Sequence, residues 1–348
     1  MPTLSYLPHI LPIAIGLGGG FLAYWGGLPL PWMLGPMIAN MLVALNGVNL
    51  VRPMPLRPVV IPILGVLLGS GITAEVIALM GAWVFSLIVL PVFMICAAGV
   101  SYAVYRKLGR YDPVTAYFCA MPGGLNEMII MGEEAGGDER RIALAHTARI
   151  LLIIVFVAIF FGLILGVSSG GPDAAGWIGL TAITAWDYGV LAACAVLGTL
   201  LGQWLRLPAA PVLGPMILSG IAHVAEIVTV APPTIFVIAA QITMGTIIGT
   251  RFVGSTFAEL KLDLGLAAVA SVLMLGIAVG FAEAIFLVTG IPLAQGFLAY
   301  SPGGLAEMSL LALAMEQDAT YVSVMHIIRI TLVIAIAPLM FRWVLKPS

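Results

Sequence analysis

Apolar residues in this chain come in blocks of about twenty, separated by short polar segments, which is the length that carries a helix across a bilayer. Five blocks lie near residues 9–28, 30–48, 59–78, 83–105 and 142–166, and five more near 186–205, 208–227, 234–252, 264–290 and 321–343. Between the fourth and fifth block of each set lies a further apolar stretch, 111–136 and 292–315. Both stretches are interrupted by Pro-Gly-Gly. Proline lacks the donor a helix needs and two glycines cost about 2 kcal/mol against alanine, so each stretch is predicted to be two half-helices joined by unwound backbone.

The order of blocks repeats. Leu-Gly-Pro-Met stands at Leu34–Met37 and again at Leu213–Met216, and Pro122–Met128 (PGGLNEM) returns as Pro302–Met308 (PGGLAEM). His146 with Arg149 recurs as His326 with Arg329, and Gly65 with Gly69 as Gly245 with Gly249, all at a spacing of 179 or 180. Four features in one order at near-constant spacing mark a tandem duplication. The expected domains are a first membrane repeat at 1–166, a Gly-rich non-cytoplasmic connector at 167–186 and a second membrane repeat at 187–348.

Composition agrees with that pattern. Of 348 residues, 61% are hydrophobic and 9% charged, against roughly 25% charged in a soluble domain. These figures exclude disorder and a disulfide-stapled secreted fold, and a net charge of −2 gives no electrostatic pull toward nucleic acid. The three cysteines, Cys96, Cys119 and Cys194, lie in apolar runs and read as packed thiols. The opening residues lack a basic lead and a small-residue cleavage site, so the first span is expected to be retained.

Positive charge decides between two topologies. Setting aside Arg149 and Arg329 inside predicted helices leaves twelve of the fourteen Lys and Arg. If the interrupted stretches cross the membrane, Arg206, Arg251 and Lys261 fall opposite Arg52, Arg57, Arg106, Lys107 and Arg110. If they are re-entrant hairpins, all twelve lie on one side. The expected fold is therefore an all-α polytopic membrane protein. Two inverted repeats each contribute five transmembrane helices plus one broken Pro-Gly-Gly hairpin, and both termini are cytoplasmic. Discontinuous helices at the interface of inverted repeats are a recurring plan of secondary transporters.

Candidate binding residues are the polar groups within that apolar frame. Glu127 and Glu307 follow Pro122-Gly123-Gly124 and Pro302-Gly303-Gly304 by one spacing, beside backbone that can hold an ion. Each is alternatively a cap on its half-helix or the ion-pair partner of its repeat's arginine. Asn126 is matched by Ala306, so the hairpins differ chemically. His146 and Arg149 share one helix face, as do His326 and Arg329. Two arginines converging on one axis suit an anion, which guanidinium holds in a fork. Glu283 reads as interfacial or as a proton site, His9 and His223 as interfacial, and the paired glycines as close helix packing. Leu34–Met37 and its twin are expected to kink their helices.

The duplicated unit, with its LGPM segment and its PGGLxEM turn followed by a helix carrying a basic residue, resembles the AbrB-type bacterial integral membrane protein family over essentially the whole chain. That family is distinct from the DNA-binding transition-state regulator of the same name. The resemblance implies a duplicated protein of the bacterial inner membrane. Members are described as candidate ammonia monooxygenases, as a regulator of gene expression, or as candidate transporters. The reading taken here is a secondary transporter or exporter of a small anionic solute by alternating access, coupled to H⁺ or Na⁺, and not an enzyme. The alternatives are a membrane-embedded regulator without transport and a metal-dependent monooxygenase. An oxygenase needs several histidines or two with a carboxylate, and the chain has four histidines in all. No cofactor and no metal are expected. The expected partners are a small-molecule or ion substrate, the lipid bilayer and a second copy in a homodimer, with no nucleic acid.

Overall fold

A computed structural model describes residues 7–28, 30–160, 177–254 and 257–345, and among them the secondary structure is helical without strands. The Gly-rich connector predicted at 167–186 lies outside the described residues up to 176. In the first half the helices are α1 (Leu7–Trp25), α2 (Pro31–Leu45), α3 (Arg57–Ser70), α4 (Ala74–Leu79), α5 (Val84–Ala103), α6 (Pro113–Ala120), α7 (Leu125–Glu134) and α8 (Glu139–Ile159). In the second they are α9 (Ala185–Trp204), α10 (Ala210–Val224), α11 (Thr234–Gly249), α12 (Phe257–Thr289), α13 (Leu293–Tyr300), α14 (Leu305–Ala314) and α15 (Ala319–Leu345). Every predicted apolar block contains a helix, the block at 59–78 two, and both interrupted stretches are split where Pro-Gly-Gly stands. Among the described residues five helical stretches are long and apolar enough to cross a membrane: Ala74–Leu108, Ala185–Trp204, Thr234–Phe252, Lys261–Thr289 and Ala319–Phe341.

The block expected at 59–78 is shorter than drawn. Its helix α3 ends at Ser70, and a turn through Gly71 separates it from α4. The starts of α2 and α10 carry an unusual backbone. Leu30 and Ala209, at matched positions, both take a left-handed conformation, with φ of 45° and 49°. That conformation costs an L-residue roughly 1–2 kcal/mol. Prolines in the first helical turn follow in both cases, where a missing N–H leaves nothing unpaired.

The chain forms two compact units, each drawing on both halves of the sequence. The first gathers residues up to Ala78 with Val157–Thr256 and Ser309–Thr320. Its packing is reciprocal: α3 lies on α10, and α11 lies on α2. A Cβ on Gly65 or Gly69 would strike the backbone at Val212 or Met216, and one on Gly245 or Gly249 the backbone at Met33 or Met37. These are the same positions read from the other repeat. Gly19 against Gly35 and Gly198 against Gly214 close α1 on α2 and α9 on α10 in the same way. Small residues let helix backbones approach where there is no water to drive apolar faces together.

Polar side chains bridge the same seams. The fully buried Asn40 donates to Pro12 O at 3.0 Å, to Pro36 O at 2.9 Å and to Thr246 Oγ1 at 3.5 Å. Its counterpart Ser219 donates to Val66 O at 2.9 Å.

The second unit comprises Leu79–Phe156, Phe257–Met308 and the residues from Tyr321 on. Here α12 packs against α5 and α13. Tyr300 donates to Ser86 O at 2.5 Å, and Tyr321 to Ser86 Oγ at 2.9 Å. At one end Tyr111 donates to the Asp263 carboxylate, and Arg141 lies 4.6 Å from the centre of the Tyr111 ring. All three broken-helix arms α6, α7 and α13 belong to this unit, with the first residues of α14.

Candidate functional site at two broken helices

The first break begins with a signal the sequence states openly. Asp112 caps α6, accepting from Val114 N at 3.0 Å and Thr115 N at 2.9 Å, and Pro113 occupies the first helical position. The helix runs only to Ala120, because Met121 turns to an extended conformation and Pro122 has no N–H to offer. The carbonyl of Phe118, four residues before that proline, is therefore left without a helical donor. His146 of α8 supplies one, with Nε2 at 2.8 Å from Phe118 O. The next freed carbonyl, Met121 O, accepts from Arg149 Nη1 at 2.9 Å. Arg149 Nη2 stands 3.0 Å from His146 Nδ1, so Nδ1 accepts and the imidazole carries its proton on Nε2.

The second break repeats part of this wiring. Arg329 of α15 donates from Nη1 to Ser301 O at 2.7 Å and from Nη2 to Gly303 O at 2.9 Å. Ser301 is the counterpart of Met121, so the arginine-to-carbonyl contact is kept in both repeats. His326 does not follow its twin. Its Nδ1 lies 2.9 Å from Val322 O, one turn back in its own helix.

Glu127 and Glu307 occupy the third position of α7 and α14, and each carboxylate folds back over the glycine at the head of its helix. A Cβ on Gly124 would collide with the Glu127 carboxylate and one on Gly304 with that of Glu307. Gly124 has a φ of −60°, open to any residue, so glycine there leaves room for the carboxylate rather than supplying backbone freedom. Each break thus places a carboxylate at the positive end of one half-helix and a guanidinium at the negative end of the other. Glu127 is half-buried and Glu307 is 7% exposed. Of Asn126 the structure describes the backbone only.

The arginines are the centre of the chemistry. Arg149 is 4% exposed and Arg329 2%, and Arg329 lies within electrostatic reach of Arg149. Their described contacts go to main-chain carbonyls and, for Arg149, to His146. No hydrogen bond or ion pair to the glutamate of its own repeat is among the described contacts of either arginine. The Nε of each guanidinium is buried without a hydrogen-bond partner. A buried charge without a counter-charge costs several kcal/mol, and a half-helix terminus returns at most about 2.

A cavity of about 210 Å³ reaches the first break, lined by Met121, Pro122, Tyr117, Met94, Val333 and Ala337 among others. Its walls are apolar. Glu283 is exposed on α12, and His223 bonds the Ser219 and Val230 carbonyls at 2.8 and 3.2 Å. Among the described residues no group of three His, Cys, Asp or Glu stands close enough to hold a metal ion. Residues the sequence reading passed over are Tyr111, Arg141 and Asp263; only the Asp112-Pro113 cap beside them carried a local signal.

Residues 32–345 match the family described as "Transition state regulatory protein AbrB". The chain belongs to the AbrB family. Two similar proteins match over nearly their full length. One is an uncharacterized protein of Bacillus subtilis (strain 168), YhjN, 28% identical over 366 residues, covering 95% of this chain and 91% of that protein. The other, from Escherichia coli (strain K12), is named as a candidate regulator, AbrB. It is 25% identical over 346 residues, covering 99% of this chain and 97% of that protein. The AbrB-family match agrees with a helical, membrane-type chain and leaves the chemistry of the two breaks to be argued from their residues.

Proposed function

We propose that this AbrB-family chain is a secondary transporter or exporter of a small anionic solute, working by alternating access at its two broken helices. The observation that carries the reading is the pair of buried arginines, Arg149 and Arg329. They come from matched positions of the two repeats, lie within reach of each other's charge, have no carboxylate partner among the described residues and hold a buried Nε without a hydrogen bond each. A carboxylate or sulfonate takes such donors in fork geometry. Glu127 and Glu307 stand ready to accept the coupling H⁺ or Na⁺, since an arriving anion adds a negative charge that a low-dielectric interior resists.

In this proposal the repeats are inverted, each with five spans and one re-entrant hairpin, and the protein sits in the bacterial inner membrane with both termini cytoplasmic. The one-sided placement of Lys and Arg supports that orientation. The protein acts without a cofactor and is not an enzyme. A homodimer and a substrate of unassigned identity complete the proposal. The name of the Escherichia coli relative favours a second reading, a membrane-embedded regulator of gene expression without transport.

Thermal unfolding of the purified protein with acetate, succinate, methanesulfonate and chloride tests the site. The expected result is stabilisation by one organic anion that is lost in both Arg149→Ala and Arg329→Ala. Equal stabilisation in the two variants would sink the anion site, and uptake of the stabilising anion into proteoliposomes separates transporter from regulator.

A further inference from the structure

We propose a second ligand site, in the first compact unit and separate from the arginines, that takes a neutral molecule with an apolar body and an amide or ester carbonyl. A cavity of about 320 Å³ lies there between the start of α2, the end of α3, α11 and the second half of α14. The carboxamide of Gln241 stands on its wall. Gln241 is only 8% exposed, and its amide makes no hydrogen bond to any described residue. The indole Nε1 of Trp32, a residue of the same wall, is also buried without a partner. Polar groups in an interior are ordinarily paired, because an unmade hydrogen bond there is costly. A buried indole N–H without a partner and a carboxamide open to the same cavity point to a missing acceptor and donor.

The rest of the lining sets the ligand's character. Ser70 presents a hydroxyl already donating to Leu67 O at 2.7 Å, which leaves it able only to accept. Thr234 Oγ1 accepts from Ile178 N at 3.0 Å and so fastens the chain at 178 beside the opening. Leu310, Leu313 and Ala314 of α14 line the other side. No ionisable side chain is among the lining residues.

The duplication gives a control within the molecule. Gly71, Leu313 and Ala314 correspond to Arg251, Glu133 and Glu134 in the other repeat, and Gln241 corresponds to Ile61. The neutral wall with its carboxamide therefore occurs once. An indole N–H donates to a ligand carbonyl, the carboxamide both donates and accepts, and the leucines cover an acyl chain. Ester or amide carbonyls of that kind come from a bilayer lipid or from a free small molecule.

The test uses the full-length protein in detergent with hexanamide as the probe, and hexanoate and hexylammonium as charged counterparts. Hexanamide at saturation is expected to raise the unfolding temperature by about 2 °C or more, and neither ion to do so. The shift is expected to vanish in Gln241→Leu and in the cavity-filling Leu313→Trp, and to persist in Arg149→Ala, which distinguishes this site from the anion site. Native mass spectrometry from nanodiscs supplies the second arm. A phospholipid retained by wild type and lost from Gln241→Leu supports the site and names the bilayer as its source. The proposal is overturned by a hexanamide shift that survives in Gln241→Leu or that hexanoate reproduces. Absence of both a hexanamide shift and a Gln241-dependent lipid would equally end it.

Discussion

At the first break an imidazole bridges two strained points, holding the carbonyl that Pro122 abandons and accepting from the guanidinium beside it. At the second break the corresponding imidazole bonds a carbonyl of its own helix, and the guanidinium donates to two carbonyls of the break, one of which also accepts from Gly303 N. The repeats thus agree on the arginine and on the carbonyl at position 121 or 301, and differ in the histidine. What duplication kept is the charged donor at the end of the first half-helix. What it let drift is the group that steadies it. Arg149 is positioned from two directions, and Arg329 through its own fork.

The largest expected effect comes from removing the arginines. Arg329→Met leaves the Gly303 carbonyl unbonded, at about 1–3 kcal/mol, since Ser301 O still accepts from Gly303 N, while Arg149→Met leaves Met121 O unbonded and takes the donor from His146 Nδ1. Desolvation of a guanidinium is relieved in both, so the difference between them is the sharper quantity. Arg149→Met is expected to be less stable than Arg329→Met by about 1–2 kcal/mol in detergent unfolding. Equal losses would mean that the two breaks are wired alike.

Next come the histidines. His146→Ala orphans Phe118 O and is expected to lose about 1–3 kcal/mol, whereas His326→Ala removes a bond to a carbonyl within its own helix and is expected to lose under about 1. A larger loss at His326 would reverse the comparison.

Smaller again is the entry to each broken helix. Asp112 caps α6, and its counterpart Pro292 caps α13 with no side-chain bond. Asp112→Ala is expected to lose about 1 kcal/mol and Pro292→Ala close to none. The smallest effect is on pH. Burial pushes the Asp112 carboxyl up, but hydrogen bonds from the Thr115 hydroxyl and amide and the Val114 amide outweigh it and hold it below the ordinary carboxylate range. A lowered folded value means the cap's contribution is complete above the unfolded value of about 3.9 and fades as pH falls through the folded one. A melting profile between pH 6 and pH 3 should therefore drop less steeply in Asp112→Asn than in wild type.

How far the sequence carried this picture depends on the kind of signal. Proline and glycine act locally, so both breaks, at 121–124 and 301–304, were legible to within a residue or two. The glycine pairs announced close packing. Their partners were invisible, because α3 meets α10 and α11 meets α2 across some 150 or more residues. The division into two units was likewise hidden, since each unit interleaves both repeats. At the site, spacing placed Glu, His and Arg near one another and left ion pairing open. Only coordinates separate a guanidinium facing a carboxylate from one facing a carbonyl. The Tyr111–Asp263 bond and the Gln241 cavity had no motif at all, being products of tertiary contact alone.

The reciprocal seams have a meaning for how such a chain can exist. Each repeat by itself carries one side of two interlocking surfaces, with backbone laid bare where its glycines expect a neighbour. Expressed as a separate fragment, either repeat would have to find its complement before it could bury those faces. Carrying both repeats on one chain turns an encounter between two molecules into a fold within one.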